Sequence, residues 1–99
     1  MSDGAQKAAA ITVIDFWAEW CGVCRMIEPV VERIVGGHDD VTLRKVNVAE
    51  DAAMADSMGV RGLPTLVFTA ADGRELHRMS GSMTGARIED GLSRARAGL

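Results

Sequence analysis

From Ile11 the chain opens on an almost unbroken apolar run, Ile11-Thr12-Val13-Ile14-Asp15-Phe16-Trp17, rich in β-branched and aromatic residues. Such a run suits a central strand covered on both faces, and Asp15 is its one charged interruption. From Gly22 the period changes. Ile27, Val30, Val31, Ile34 and Val35 fall at the i, i+3, i+4, i+7, i+8 spacing of a helix with one buried face. Pro29 lies inside that pattern, where loss of a backbone bond costs about 3 kcal/mol and predicts a kink. Gly36-Gly37 then predicts a left-handed helix stop. Val41 to Val48 reads as a second strand in which Val41, Leu43 and Lys45 share one face, so a lysine falls in line with core positions. Asp51 caps a short helix from Ala52 to about Met58, ended by Gly59. Beyond Pro64, Thr65 to Thr69 reads as a third strand. Asp72-Gly73 marks a hairpin, and Arg74 to Met79 pairs back antiparallel. Gly81 breaks that strand, Thr84 caps, and Ile88, Leu92 and Ala95 form the stripe of a final helix.

The order β-α-β-α-β-β-α predicts an α/β fold. A strand–helix–strand start implies a parallel pair with a right-handed crossover, and the closing hairpin adds an antiparallel partner. The expected architecture is a central mixed sheet of about four strands flanked by helices. Residues 1–10 form a loose N-terminal arm and residues 11–99 a single domain.

Both cysteines of the 99-residue sequence lie in Trp20-Cys21-Gly22-Val23-Cys24, where the first strand hands over to the first helix. A Cys-x-x-Cys in that position points to thiol–disulfide exchange, which needs one thiol that is largely thiolate near neutral pH and a second within reach. Cys21 meets the first need, because unpaired N–H groups and the positive end of a helix dipole lower a thiol pKa from about 8.5. Cys24, one turn further in, meets the second. Cys21 is therefore the candidate nucleophile and Cys24 the resolver. A structural bridge would close too small a loop to add much stability, and a zinc site would need two more ligands where only His38 and His77 are available. Asp15, six residues before Cys21, and Lys45, on the neighbouring strand, are the other candidate catalytic groups. Paired, they tolerate burial, and a desolvated carboxylate is suited to take and return the Cys24 proton. The bland alternative is a structural ion pair or an Asp15 turned to solvent.

Composition narrows the setting. With 47% hydrophobic and 25% charged residues and a net charge of −3, the chain reads as a soluble domain with no basic surface for nucleic acid. No signal-like start precedes the first strand, and no apolar run approaches the roughly 18 residues that span a bilayer. The expected location is cytoplasmic, where a disulfide is catalytic more often than structural.

The run Asp15-Phe16-Trp17-Ala18-Glu19-Trp20-Cys21-Gly22, with Pro29, Lys45, Gly59-Val60-Arg61-Gly62-Leu63-Pro64-Thr65 and Gly81, closely resembles the thioredoxin family, over about Ile11 to the C-terminus. The resemblance implies a protein-disulfide reductase that binds no cofactor, works through a redox-active Cys21–Cys24 disulfide and draws electrons from NADPH through a flavoprotein reductase. It implies that Pro64 is a cis-proline beside the cysteines and that Trp20, Gly22, Val23, Gly62, Leu63 and Gly81 contribute to substrate docking, with Trp17 packed beneath. A specialised isomerase or oxidant, and a non-catalytic binding subunit, are the competing readings.

The sequence departs from the family pattern twice. Val23 stands where the commonest family motif has proline, which restores an N–H able to donate to the Cys21 thiolate and predicts a more oxidising couple. Family members also carry a further strand and helix before the strand matching Ile11 to Trp17, which ten residues cannot supply. The expected consequence is an uncovered edge at Val41 to Val48, open to a partner or weak self-association, or lower stability.

Overall fold

The computed structural model describes residues 9–99. Seven elements follow in the expected order: β1 (Ile11–Trp17), α1 (Gly22–Gly36), β2 (Val41–Asn47), α2 (Ala52–Ser57), β3 (Thr65–Ala70), β4 (Glu75–Ser80) and α3 (Gly85–Ala97). The expected arm falls mostly on residues 1–8, outside the described residues, while Ala10 already donates from its N–H to the Asp40 carbonyl at 2.8 Å.

The four strands form one mixed sheet in the order β2-β1-β3-β4. β1 runs parallel to β2 and antiparallel to β3, which places Asp15 level with Lys45 on one side and Leu66 on the other. Among the described residues, β2 and β4 are the outer strands. The alternation of β1 divides the core between two layers. Ile11 and Val13 pack with Ile27, Val31, Ile34 and Val35 of α1 and with Ile88 and Leu92 of α3. Ile14 and Phe16 turn the other way, onto Ala55 of α2 with Val46 and Val67. Helices on both faces explain why β1 is apolar almost throughout, since neither set of alternating side chains meets solvent. Asp15 belongs to the α1-facing set, which is why the one charge of the strand is buried against the helix that carries the cysteines.

One local expectation was altered by backbone geometry. α1 continues as the single helix expected, from Gly22 to Gly36 with Pro29 inside it, its packed apolar face offsetting the lost backbone bond. Its end is not left-handed: Gly37 has φ −86°, and its N–H closes a tight turn onto the Ile34 carbonyl at 3.0 Å. That i to i−3 closure satisfies a terminal carbonyl without a positive φ. Thr84 caps α3 as expected, its hydroxyl accepting from the Arg87 N–H at 3.2 Å.

Candidate active site

The chain leaves β1 at Trp17, and the Cys21 N–H closes a turn onto the Ala18 carbonyl at 3.1 Å. Cys21 is then the N-cap of α1 in an extended conformation, and its Sγ accepts from the Cys24 N–H at 3.2 Å. The two cysteines are joined by a disulfide. Both are buried, Cys24 slightly the deeper, at 4% exposure against 8% for Cys21. The first turn of α1 carries no acidic residue, so the positive end of the helix acts on the Cys21 sulfur without an opposing charge. The N–H bonded to that sulfur is Cys24's, one position beyond the expected Val23 donor, because an N-cap side chain bonds either the second or the third helical N–H. Val23 occupies the second, whose N–H is among those a helix leaves unpaired.

Two further loops meet at the start of β3, whose Thr65 pairs with Phe16 near the end of β1. The Leu63–Pro64 peptide bond is cis. The Pro64 carbonyl accepts from the Gly81 N–H at 2.9 Å, and Thr65 ties its hydroxyl to the Gly62 carbonyl at 2.6 Å and to Ser80 at 2.9 Å. Gly81 has φ +81°, a backbone conformation that a side chain strains, so this loop requires glycine there. Gly62 and Gly22 have ordinary φ, and a Cβ on either would meet nothing within 4 Å. Trp17 is only half-buried at the end of β1. Trp20 and Val23, which flank Cys21 in the chain, are 74% and 38% exposed, and Met26 further along α1 is 76% exposed. Trp20 also lines a groove of about 270 Å³ with Val48, Ala55, Val60 and Leu63, rimmed by Asp56 and Arg61.

Asp15 is 4% exposed, and its Oδ1 has no hydrogen-bond partner. Burial pushes its carboxyl up to about 6, and the nearby carboxylates of Glu28 and Glu32 reinforce the rise against the opposing pull of Lys45. The expected Asp15–Lys45 pair does not form. Although the two residues are level across β1 and β2, Lys45 is on an outer strand with its side chain 34% exposed, and its ammonium bonds Glu28 and Glu32 of α1 instead. Those bonds hold the Lys45 pKa above its ordinary value. Two carboxylates at the surface compete better for an ammonium than one buried carboxyl does, because they do not require the charge to be dehydrated.

Glu28 and Glu32 are the site residues that sequence reasoning missed. A signal was present: with Cys24 they are spaced four residues apart, one line along a helix. Nothing in the pattern placed that line over Lys45, since the crossing of α1 over β2 is a tertiary fact.

A disulfide at a strand-to-helix junction, buried next to the exposed Trp20, in a sheet whose β3 follows a cis-proline and pairs Thr65 with Phe16 near the end of β1, defines a thiol–disulfide oxidoreductase. The thioredoxin family profile matches residues 3–94. A thioredoxin of Chlamydia caviae is 40% identical over 74 residues, covering 75% of this chain and 72% of that protein. Thioredoxin 1 of Synechococcus elongatus is 36% identical over 83 residues, covering 83% and 77%. Among solved structures, a Fasciola hepatica thioredoxin superposes with a TM-score of 0.81 at 33% identity, covering 92% of this chain and 86% of that one. Oxidised mitochondrial thioredoxin 3 of Saccharomyces cerevisiae gives 0.77 at 30%, covering 86% and 78%. The chain belongs to the thioredoxin family, with its dithiol/disulfide oxidoreductase chemistry carried by Cys21 and Cys24.

Proposed function

We propose that the chain reduces disulfides of other proteins and is recharged by an NADPH-dependent flavoprotein reductase, serving electron transport and redox homeostasis in the cytoplasm. The observation that supports this reading best is the placement of the pair: a Cys21 sulfur at the cap of a helix whose first turn lacks acids, next to the exposed Trp20. In the reduced protein Cys21 is the thiolate and Cys24 the thiol. The Cys21 thiolate attacks one sulfur of the substrate disulfide, forms a mixed disulfide and expels the other sulfur as a thiolate. Cys24 then gives its proton to the Asp15 carboxylate through water, and its thiolate attacks Cys21 Sγ. The Cys21–Cys24 disulfide forms, the second substrate thiolate leaves, and two electrons have passed to the substrate. The leaving thiolates take one proton back from Asp15 and one from solvent. A carboxyl near 6 suits that duty, since it is mostly ionised at neutral pH yet a stronger base than an ordinary aspartate.

Trp20, Val23, Leu63 and Pro64 supply the contact surface, and Gly22 and Gly62 leave room for a close backbone. Lys45 acts on Asp15 only at a distance, as a charge already neutralised by two glutamates. Among the described residues no helix is long and apolar enough to cross a membrane.

The deciding experiment is a protein-disulfide reduction assay driven by NADPH and a thioredoxin-reductase-type flavoprotein. Catalytic NADPH consumption is the expected result. Reduction by a chemical dithiol but not by the flavoprotein would remove the proposed electron source, and no reduction by either would leave a binding subunit.

Val23 bears on potential. An N–H donated to a charged group is worth about 1.5–3 kcal/mol, and about 1.4 kcal/mol corresponds to 30 mV in a two-electron couple. The Cys21 sulfur accepts from the Cys24 N–H in the oxidised protein, and the Val23 N–H is a further donor at the same helix start. Available to the thiolate on reduction, it favours the dithiol and raises the potential above the roughly −270 mV of thioredoxin. Val23→Pro is expected to lower the potential by about 30 mV in a glutathione titration. An unchanged or higher value would sink the role given to this N–H.

A further inference from the structure

Lys45 faces a choice between three carboxyl groups. It lies level with Asp15 across the parallel β1–β2 pair, on the same α1-facing side of the sheet, yet its ammonium bonds Glu28 and Glu32 and leaves Asp15 Oδ1 without a hydrogen-bond partner. Both glutamates stand on the line of α1 that begins at Cys24, and both act on Asp15 through space. We propose that Glu28, seconded by Glu32, is a positioning residue for the thiol–disulfide reaction: it draws the Lys45 ammonium to the protein surface, so that the buried Asp15 carboxyl stays unpaired and basic enough to take the Cys24 proton.

Asp15, Glu28 and Glu32 compete for one ammonium. Left alone, a lysine beside a buried carboxyl stabilises the carboxylate and makes it a poor base. Two surface glutamates hold that lysine in a partly hydrated position, and their own negative charge disfavours ionisation of Asp15 in addition. The arrangement therefore acts on Asp15 twice in the same direction. The charged groups bearing on Asp15 are Glu28 and Glu32 from α1 and Lys45 from β2, whereas its β3 neighbour, Leu66, carries no charge. On reduction the Cys21 thiolate and Cys24 thiol at the head of α1 join them. The inference rests on the reading of Asp15 as the proton acceptor, and the test separates the two.

In the reduced full-length protein, the Asp15 carboxyl carbon is followed by NMR through a pH titration, and the rate at which Cys24 resolves a preformed Cys21 mixed disulfide is measured over the same range. Glu28→Gln/Glu32→Gln is expected to lower the Asp15 midpoint by about one pH unit, as a freed lysine approaches, and to slow resolution at neutral pH. Adding Lys45→Met to that variant is expected to raise the midpoint again. Glu28 is half-buried and Glu32 exposed, outside the apolar core, and far-ultraviolet circular dichroism verifies that the variant folds. If the midpoint stays put in Glu28→Gln/Glu32→Gln while Asp15→Asn resolves slowly, the proton-acceptor reading stands and the present proposal falls. A drop that persists unchanged with Lys45→Met also overturns it, because the glutamates then act by repulsion alone. Resolution by Asp15→Asn at the unaltered rate across the pH range defeats the proton-acceptor reading, and with it any reaction role for the glutamates, whatever the titration shows.

Discussion

Cys21→Ser and Cys24→Ser are each expected to reduce protein disulfides no faster than the uncatalysed thiol background, yet to leave different products. Cys21 is the helix cap whose sulfur accepts the Cys24 N–H at 3.2 Å, and it directly follows the exposed Trp20. Replacing it removes the thiolate that the helix start stabilises, and the remaining Cys24, 4% exposed, has neither that stabilisation nor access. Cys21→Ser therefore forms no adduct. Cys24→Ser keeps the nucleophile and loses the group that resolves the mixed disulfide, so the first exchange completes and the second does not. Mass spectrometry after exposure to a disulfide-containing protein is expected to show a covalent 1:1 adduct with Cys24→Ser alone, released by dithiothreitol. Adducts on Cys21→Ser instead would reverse the assignment of nucleophile and resolver. Turnover retained by either variant would show that the pair does not act as a couple.

The second large effect is on stability. The Asp15 carboxyl stands at about 6 in the folded protein against 3.8 for the unperturbed group, with burial the leading cause. A group whose folded pKa is raised keeps its proton longer in the native state, so stability falls as pH rises from about 4 and levels off above about 6. At about 1.4 kcal/mol per pKa unit, the full cost at neutral pH is roughly 3 kcal/mol. Asp15→Asn preserves shape and removes the charge. It is expected to be more stable than the parent at pH 7 by an amount of that order and to lose the slope between pH 4 and 7, while differing little at pH 4. Urea unfolding at a series of pH values checks both points. Asp40 does not blur the window: two bonds from Arg96, at 2.7 and 2.9 Å, hold its carboxyl down to about 2, so its contribution is present above 3.8 and is lost as pH falls toward 2. An Asp15→Asn variant no more stable than the parent at pH 7 would mean that water reaches the carboxyl and relieves its burial. The same residue then carries opposing demands, since the unpaired, dehydrated state that weakens the fold is what makes Asp15 a useful base.

Neighbouring residues dictated much of this protein. The unbroken β1 run, the spacing of Ile27, Val31 and Ile34, the caps at Asp51 and Thr84 and the hairpin at Asp72-Gly73 are local or periodic signals, and each became the element it predicted. The cysteine pair belongs with them, because two residues of separation at a strand-to-helix junction already put both sulfurs at one helix start. Lys45 and Asp15 show where that logic stops. Alternation correctly placed Lys45 on the α1-facing side of β2, but whether its ammonium turned inward to Asp15 or outward to Glu28 and Glu32 depended on how α1 lies across an outer strand. That is a competition between groups distant in sequence, decided by dehydration and charge after the helix has docked. The meeting of the Pro64 and Gly81 loops through one 2.9 Å hydrogen bond is of the same kind. By itself the sequence determined the order of elements and the redox pair. Only the tertiary structure decided which charges surround that pair, because a charge's partner is chosen by distance and burial, which the chain's linear pattern does not encode.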